Sequence, residues 1–578
     1  MTDQNSKPAT DLPGKALVIG LDGATWRLLD RFIQRGDMPV LSRLCQEGTR
    51  GDLASTLPFL SPIAWTSMAT GMYPGKHRVF GFFNPRYTYV WAPRLDQPTR
   101  PVSAAGIGAL PLYRALNRHG RTTGLIMVPV THPPQPLRGY IVGDGLLTPN
   151  EQSNYTYPPA LKADLLAAVP EFHVRPYEHL HHRPELIDEI GYYLEHQGHA
   201  ARWLMRNHPT DFTMVVFTAT DVLQHRFWKY VDPASSPPTD QAAREIQAKL
   251  TSFYRLIDRI VGELLTEAGP ETVTVLVSDH GFTAPRRIFF VNRWLHEQGL
   301  LHFVESASGK LKTRLVNHGL TQERLFGLLK KLDVLNLRQR LRGRDHLGGG
   351  VAVRQGIQSI TAPEIDWTQT RAYAGNLGEP YVYINLADRD PSGIVQPGEE
   401  YEQLCSSLCA ALANLRDPAN GQCVVRKVYR AAELYPGPYV HEAPDIILDF
   451  QEASLVTSDA VQVNAVFADD TTQRGVHDPY GIFLLHGPGV QGGARIENAR
   501  IVDVMPTMLH LLGVPLPEGL DGHVLTEALA EPFLSQRPVR YAAPLAHEQG
   551  PDLEDASSYS DEESGEIEQR LRDLGYIT

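Results

Sequence analysis

The chain has 578 residues, of which 42% are hydrophobic and 21% charged, and its formal net charge is −12 at pH 7. This composition is typical of a globular protein, and the length predicts more than one domain or one domain with insertions. The negative charge argues against an extensive nucleic-acid-binding surface but not against a local basic pocket. Four cysteines in so long a chain do not make a disulfide framework.

The first residues, MTDQNSKPATDLPGK, contain no apolar segment of the kind that a secretory signal needs. No part of the sequence reaches the roughly 18 consecutive apolar residues that a membrane-spanning helix requires. We therefore expect no transmembrane segment and a cytoplasmic protein, unless a signal outside this sequence directs export.

The region from Lys15 to about Leu300 alternates short apolar runs with helical patterns. This alternation predicts an α/β fold with a mainly parallel sheet flanked by helices. The predicted strands of this region are Ala16–Leu21, Gly124–Val128, Tyr140–Val142, Phe212–Thr218 and Thr272–Val277. Strand patterns return later in the chain, at Tyr381–Ile384, Asp445–Leu448 and Ile482–Leu485.

Residues 320–341 follow a different pattern. Leucines recur at helical spacing with Arg and Lys on the other face, and glycines 348–350 follow. We interpret this stretch as an inserted helical cap joined by a flexible loop, although a helix lying on a membrane surface would have the same pattern. The predicted division is a core of residues 15–300 and 370–530, a cap of 301–369, and a C-terminal acidic tail and helix of 531–578.

The C-terminal helix has a start signal of its own. Ser560 is followed three residues later by Glu563, which is the spacing of a capping box. The signal predicts a last, acidic helix from about Asp561 to Leu574.

Three of the predicted strands lead into an aspartate. ALVIGLDG contains Asp22, FTMVVFTATD ends in Asp221, and TVTVLVSDH ends in Asp279 and His280. Ligands of open α/β sheets bind beyond the carboxyl ends of the strands, so we expect these side chains to converge. Carboxylates gathered at one edge repel one another, which raises their pKa values or requires cations.

Two further histidines are candidates for the same place. If a helix begins at Asp221, His225 lies one turn later on the same face, the geometry of a two-ligand metal clamp. His477 lies in GVHDPYG, just before a predicted strand. Mixed carboxylate and imidazole ligands favour zinc or manganese over calcium or magnesium. Alternatively, Asp221 is a helix N-cap and His225 a buried core histidine.

A candidate nucleophile lies between the first two aspartates. Ser61, Pro62, a helix-compatible run to Thr70 and then Gly71 predict a helix with its N-cap, N1 proline and C-terminal glycine. Ser61 is then either that N-cap or a hydroxyl held where a helix N-terminus favours phosphate. A serine hydroxyl is a poor nucleophile at neutral pH unless a base or metal activates it.

The ordered set of these segments resembles the type I phosphodiesterase/nucleotide pyrophosphatase branch of the alkaline phosphatase superfamily. The similarity extends from about Lys15 to Leu525. It is carried, in this order, by GLDG, LSPIAWTSMATGMYPGKH, TDVLQH, VSDHGF, GVHDPYGIFLLHGPGV and IVDVMPTMLHLLGVPLP. The C-terminal RLRDLGYIT is similar to endings of bacterial members known only as predicted phosphohydrolases or phosphomutases.

The resemblance implies an alkaline phosphatase-like core and two divalent metal ions, commonly zinc. One ion would be bound by Asp221, His225 and His477, and the other by Asp22, Asp279, His280 and the oxygen of Ser61. Ser61 would attack phosphorus in line, and water would then release the covalent phosphoseryl or nucleotidyl-seryl intermediate.

The sequence departs from the family pattern at two positions. Nucleotide pyrophosphatases usually have threonine where this chain has Ser61, and asparagine where it has Ala64. The second change leaves one phosphate oxygen without its usual donor and weakens the case for nucleotide specificity. A sulfatase is disfavoured, because the signature of Cys or Ser followed by x-Pro-x-Arg is absent.

The sequence therefore predicts a two-metal phosphoester hydrolase that acts on nucleotide-like or other small organophosphates. A phosphomutase or phosphomonoesterase that uses the same serine is the alternative enzyme. A non-catalytic metal-binding or sensory module on the same fold is the alternative of another class, and the sequence leaves the oligomeric state open.

Overall fold

The computed structural model describes residues 14–83, 100–175, 184–232, 240–304, 365–375, 379–460, 463, 465–472, 474–544 and 559–574. Its centre is a nine-stranded sheet. In spatial order the strands are β18 (Ala494–Arg500), β2 (Thr49–Ala54), β17 (Tyr480–His486), β7 (Thr272–Val277), β1 (Lys15–Leu21), β6 (Phe212–Phe217), β3 (Thr123–Ile126), β4 (Gly139–Val142) and β5 (Thr156–Tyr157).

Most of this sheet is parallel. Strands β7, β1, β6, β3 and β4 are neighbours and run the same way, while β17 and β5 run against their neighbours. The five consecutive parallel strands explain the fully apolar runs in the sequence, since parallel strands are covered on both faces. All six residues of β6 and all six of β7 are buried.

Helices cover both faces of the sheet. They are α1 (Trp26–Gln34), α2 (Pro39–Glu47), α3 (Ser61–Thr70), α4 (Pro74–His77), α5 (Tyr113–Arg118), α6 (Leu161–Ala168), α7 (Glu185–Asn207), α8 (Ala219–Val231), α9 (Gln241–Ala268), α10 (Val291–Glu297), α11 (Glu399–Ala413), α12 (Ala431–Leu434), α13 (Val504–Leu511), α14 (Glu531–Gln536) and α15 (Asp561–Leu574). One hydrophobic cluster joins the sheet to α1, α2 and α7–α9, and another joins its opposite face to α3, α5 and α13. The predicted mainly parallel sheet flanked by helices is confirmed.

A second, antiparallel sheet has its own hydrophobic cluster. Its strand order is β10 (Ala372–Tyr373), β11 (Tyr381–Ile384), β13 (Ile446–Phe450) and β12 (Val425–Arg430). Two strands predicted from the later part of the chain therefore lie outside the central sheet. The leucine-rich stretch predicted as a cap lies outside the described residues, and the domain boundaries stay predictions.

Three smaller sheets connect these parts. They are β14 (Leu455–Ser458) with β9 (Arg287–Phe290) and β15 (Phe467–Asp469), β16 (Val476–Asp478) with β8 (Gly281–Thr283), and β19 (Leu516–Pro517) with β20 (Tyr541–Ala542). The β16–β8 pair matters most for the site, because it brings residues 476–478 beside the segment that follows β7.

The C-terminal helix begins where the capping box predicts. The Ser560 backbone N–H donates to Glu563 Oε2 at 2.8 Å, and the Glu563 backbone N–H donates to Ser560 Oγ at 3.2 Å. Among the helices that the structure describes, none combines the length and the apolar character needed to cross a bilayer.

Gly20 allows the closest approach between the sheet and α3. A Cβ built at this position would lie 2.6 Å from Cη2 of Trp65 and 2.9 Å from Cγ2 of Val216. We expect Gly20→Ala to destabilise the protein by about 1–3 kcal/mol through overpacking, measured as a lower urea midpoint. Gly565→Ala is the matched control, since a Cβ there would contact nothing within 4 Å. Equal midpoints for the two variants would contradict this packing argument.

Candidate metal centre

The three strand-terminal aspartates meet at one edge of the central sheet. Asp22 follows β1, Asp279 follows β7 by one residue, and Asp221 lies in the first turn of α8, just after β6. Because β7, β1 and β6 are adjacent and parallel, their carboxyl ends place all three side chains together. All three are fully buried. Helix α8 begins at Ala219, and its N-cap residue is Thr218, so the alternative that Asp221 is an N-cap is wrong.

The histidines complete the cluster. His225 lies one helical turn after Asp221, with its Nε2 3.5 Å from Asp221 Oδ1. The pairing of β16 with β8 places His477 Nε2 3.3 Å from the same oxygen. The rings of His280 and His477 stack with their centroids 3.7 Å apart. The side chains of His225 and His477 are 11% and 10% exposed, so the cluster opens to solvent on their side.

Backbone carbonyls orient the three imidazoles. Nδ1 of His225 lies 3.0 Å from the carbonyl of Gly475, Nδ1 of His477 lies 3.0 Å from that of Phe59, and Nδ1 of His280 lies 3.1 Å from that of Gly281. Since a carbonyl only accepts hydrogen bonds, each Nδ1 carries the proton and donates it. In the neutral rings each Nε2 then presents a lone pair to the cluster, as a metal-ligating histidine does.

Two of these lone pairs face each other. Nε2 of His225 and Nε2 of His477 are 3.0 Å apart. Burial lowers the pKa of His225 to about 4, although the Asp221 carboxylate opposes this effect. Burial and the neighbouring His477 lower the pKa of His280. His225 and His280 are therefore uncharged at neutral pH, and a cation is needed to bridge the facing nitrogens.

The carboxylates are also incompletely satisfied. Neither oxygen of Asp221 nor Oδ2 of Asp279 has a hydrogen-bond partner, although all three atoms are buried. Burial and the neighbouring Asp221 raise the pKa of Asp279 to about 6, and burial with the nearby Asp279 and Asp221 raises that of Asp22. For Asp221 the burial effect is outweighed by the imidazoles of His225 and His477, and its pKa is lowered.

Two groups of side chains fit a metal ion by geometry. Asp221, His280 and His477 form one, and Asp22, Asp279 and His280 form the other, each with ligand atoms within 4.8 Å of one another. His280 belongs to both groups, so the two sites adjoin. The unsatisfied oxygens and the outward Nε2 atoms are the donor set that a divalent cation such as zinc requires.

Ser61 lies beside this cluster. Its Oγ is 3.3 Å from Nε2 of His280 and 3.4 Å from Oδ1 of Asp22. Helix α3 begins at Ser61 itself, the N-cap residue is Leu60, and no side chain makes a cap hydrogen bond. The interpretation of Ser61 as an N-cap is therefore wrong. The hydroxyl points at the acidic cluster and leaves the first helical turn uncapped.

Several supporting residues were not predicted. Nε1 of Trp65 donates to Asp22 Oδ2 at 3.2 Å, and the Gly23 backbone N–H donates to Asp279 Oδ1 at 3.2 Å. Nε2 of Gln224 donates to the Gly23 carbonyl at 2.9 Å. Trp65 is four residues after Ser61, a helical spacing that places an indole N–H on the same face, and this signal was available in the sequence. The carbonyls of Phe59 and Gly475 carried no such signal.

The sequence model of the type I phosphodiesterase/nucleotide pyrophosphatase family matches residues 16–479. The chain belongs to this family. Its members are metal-dependent enzymes, so the chain is a metal-dependent phosphoester hydrolase, and the predicted resemblance is confirmed. The match begins at β1 and ends just after His477, and it includes every residue of the cluster.

Other known proteins are similar over shorter stretches or at lower identity. Human arylsulfatase K is 37% identical over 62 residues, 11% of this chain, and the bovine protein is 36% identical over 55 residues. The chain spans only 12% and 10% of the lengths of these relatives. Among solved structures, phosphonoacetate hydrolase from Sinorhizobium meliloti 1021 with phosphonoacetate is 14% identical, with a TM-score of 0.48 over 87% of this chain and 96% of that one. Human ectonucleotide pyrophosphatase/phosphodiesterase 5 is 13% identical, with a TM-score of 0.42 over 86% and 95% of the two chains.

The raised pKa of Asp279 makes the metal-free protein sensitive to pH. A carboxyl with a raised folded-state pKa contributes stability that is present below its ordinary pKa of 3.8 and lost as the pH rises through about 6. We expect Asp279→Asn, after chelation, to be more stable than the wild type at pH 8 by about 1–3 kcal/mol. The difference should vanish near pH 4, and urea unfolding at both pH values measures it.

Adding zinc provides the internal control for this experiment. Zinc at pH 8 should stabilise the wild type more than Asp279→Asn and so reverse the order, since ligand binding stabilises only the form that binds it. A variant that is less stable than the wild type under every condition would contradict the electrostatic origin assigned to the raised pKa.

Proposed function

We propose that the chain hydrolyses phosphodiesters or pyrophosphates with two divalent ions, zinc in the first instance, and Ser61 as the nucleophile. One ion is bound by Asp221, His225 and His477. The other is bound by Asp22, Asp279, His280 and the Ser61 oxygen. The ions supply positive charge that stabilises the transferring phosphoryl group and lowers the pKa of an oxygen nucleophile.

One observation carries this proposal: Ser61 Oγ lies within 3.4 Å of both Asp22 and His280. A hydroxyl that merely fills the core has no reason to face a carboxylate and an imidazole whose other contacts all point inward. A helix N-terminus adds favourable electrostatics, because its free backbone N–H groups and dipole attract a phosphate.

The residues divide the reaction between them. Ser61 Oγ forms a bond to phosphorus and loses its proton to the nearby carboxylate of Asp22 or to solvent. The bond from phosphorus to the leaving oxygen breaks, and that oxygen departs with a proton from solvent. Water then attacks the seryl ester from the opposite side, which returns the phosphate product and the free hydroxyl. Trp65 holds Asp22 in place throughout by its indole N–H.

The surroundings of Ser61 favour a diester. Its neighbours Leu60, Ile63, Ala64 and Trp65 offer no cation, and Ala64 lacks the amide that nucleotide pyrophosphatases have there. Lys76 is engaged elsewhere, donating to Asp521 Oδ1 at 2.6 Å and to the Gly519 carbonyl at 2.9 Å. The extra negative charge of a monoester would therefore lack a partner.

One residue favours phosphomonoester hydrolysis as a second candidate. Arg474 immediately precedes Gly475, whose carbonyl accepts a hydrogen bond from His225. In the part of the chain that the structure describes, the buried Nε of Arg474 has no hydrogen-bond partner. A guanidinium near the cluster is the kind of donor that the additional charge of a monoester requires.

Chelation tests the metal requirement. We expect the purified protein to carry about two transition-metal ions per chain and to lose its activity on exhaustive chelation, with zinc or manganese restoring it. Metal content by mass spectrometry and hydrolysis of bis-p-nitrophenyl phosphate give the two readouts. Full activity in metal-free protein would refute the two-metal proposal, and bound metal without turnover on any phosphoester would favour a non-catalytic module.

Substitution of Ser61 tests the nucleophile. We expect Ser61→Ala to remain folded and to lose activity by a factor on the order of 1,000 or more, while Ser61→Thr keeps measurable activity because the hydroxyl remains. Quenching the wild type during turnover and mapping its peptides should find the phosphoryl adduct on Ser61. Thr66→Val is the control, since it removes a buried hydroxyl one turn along α3 that has no hydrogen-bond partner.

A comparison of substrates distinguishes diesterase from monoesterase. We expect a higher kcat/KM for methyl p-nitrophenyl phosphate than for p-nitrophenyl phosphate, because only the monoester carries the second charge. If the monoester is preferred instead and Arg474→Gln removes that preference, the second candidate function replaces the first.

A further inference from the structure

The C-terminal helix α15 lies beyond residue 479, where the family match ends, yet it packs against the helix that carries two cluster residues. Its apolar face consists of Ile567, Leu571 and Leu574, all fully buried. These side chains belong to the same hydrophobic cluster as Phe227 and Trp228 of α8. The family fold does not account for this contact, and it calls for a reason of its own.

The contact is centred on Arg226, the residue that follows His225. Its guanidinium donates to the backbone carbonyls of Asp573 and Leu574, the latter at 3.1 Å. These are the last two residues of α15, where helical carbonyls have no partner within the helix and the helix dipole is negative. The same guanidinium donates to the Val222 carbonyl of its own helix at 3.3 Å.

Helix α15 is anchored at a second place, on the loops beyond β4. Glu566 Oε2 accepts a hydrogen bond from Asn150 Nδ2 at 3.2 Å and lies 3.7 Å from NH1 of Arg175. The Tyr559 ring, just before the helix, stacks on His132 with centroids 5.7 Å apart. The helix is therefore fixed to the sheet edge independently of α8, and it provides a firm support against which Arg226 can act.

We propose that α15, through its terminal carbonyls and Arg226, fixes the rotation of α8 and so holds His225 in its metal-binding orientation. Arg226 is a positioning residue, and the inference rests on the proposed function only in assigning His225 to a metal. Consecutive residues of a helix point about 100° apart, so a grip on Arg226 sets the direction of His225. Metal–ligand distances tolerate deviations of only about 0.2 Å, which makes the affinity sensitive to small rotations.

Zinc affinity of the full-length protein, measured by competition with a chromophoric chelator, tests this proposal. We expect Arg226→Ala to weaken binding at one of the two ions by about tenfold or more, as the loss of a residue that supports a metal ligand does. Arg226→Lys, which keeps the charge but has a single donor group, should fall between. Saturating zinc should restore kcat in Arg226→Ala, because the ligands themselves are intact.

Arg31→Ala is the matched control. Arg31 NH1 donates to the carbonyl of Val231 at 3.1 Å, so its loss removes an arginine-to-carbonyl bond at the far end of α8, away from His225. We expect normal zinc affinity in this variant.

A second variant keeps the proposal testable if Arg226→Ala fails to fold. Leu571→Ala weakens the docking of α15 while Arg226 is retained, and it should reduce zinc affinity at the same ion. Wild-type affinity in the folded Arg226→Ala, or in Leu571→Ala, would overturn the inference even if the wild type binds two ions and hydrolyses phosphodiesters. A wild type that binds no zinc would instead refute the proposed function.

Discussion

Three buried carboxylates and three imidazole nitrogens face one another at the edge of the central sheet, and without a cation they repel. Two of the carboxyl groups keep their protons more tightly for this reason, as the raised pKa values of Asp22 and Asp279 indicate. The imidazoles cannot relieve the repulsion by changing tautomer, because each Nδ1 is committed to a backbone carbonyl. The fold must therefore hold these groups together against their own electrostatics.

The rigidity needed for this comes from the parallel sheet and its packing. Adjacent strands fix the positions of the aspartates, and hydrogen bonds from Trp65 and from the Gly23 backbone N–H hold individual carboxylate oxygens. The close approach of Trp65 is in turn permitted by Gly20, which has no side chain to obstruct it. Stability is given up at the cluster and supplied by the fully apolar strands on either side of it.

Sequence patterns were informative where a local rule decides the structure. Buried parallel strands read as continuous apolar runs, so β6 and β7 and the aspartates after them could be located, and the Ser560–Glu563 capping box located α15. Tertiary pairing decided the rest. The apolar run Tyr381–Ile384 was predicted as a strand, but its apolar pattern does not say which sheet it joins. The helix signal at Ser61 resembled an N-cap, yet contact with Asp22 and His280 turned the hydroxyl away from the helix. The carbonyls that orient the histidines belong to residues whose side chains carry no chemistry, so no pattern indicates them.

The short pairing of β16 with β8 has a consequence for biosynthesis. Synthesis proceeds from the N-terminus, so an emerging chain contains Asp22, Ser61, Asp221 and Asp279 long before it contains His477. Until β16 is added, the cluster has its carboxylates but lacks the imidazole that closes it. The segment that grips Arg226 leaves the ribosome later still. Acquisition of a complete ligand set is thus timed to the end of translation, and a truncated product carries an open acidic edge that binds cations without selecting among them.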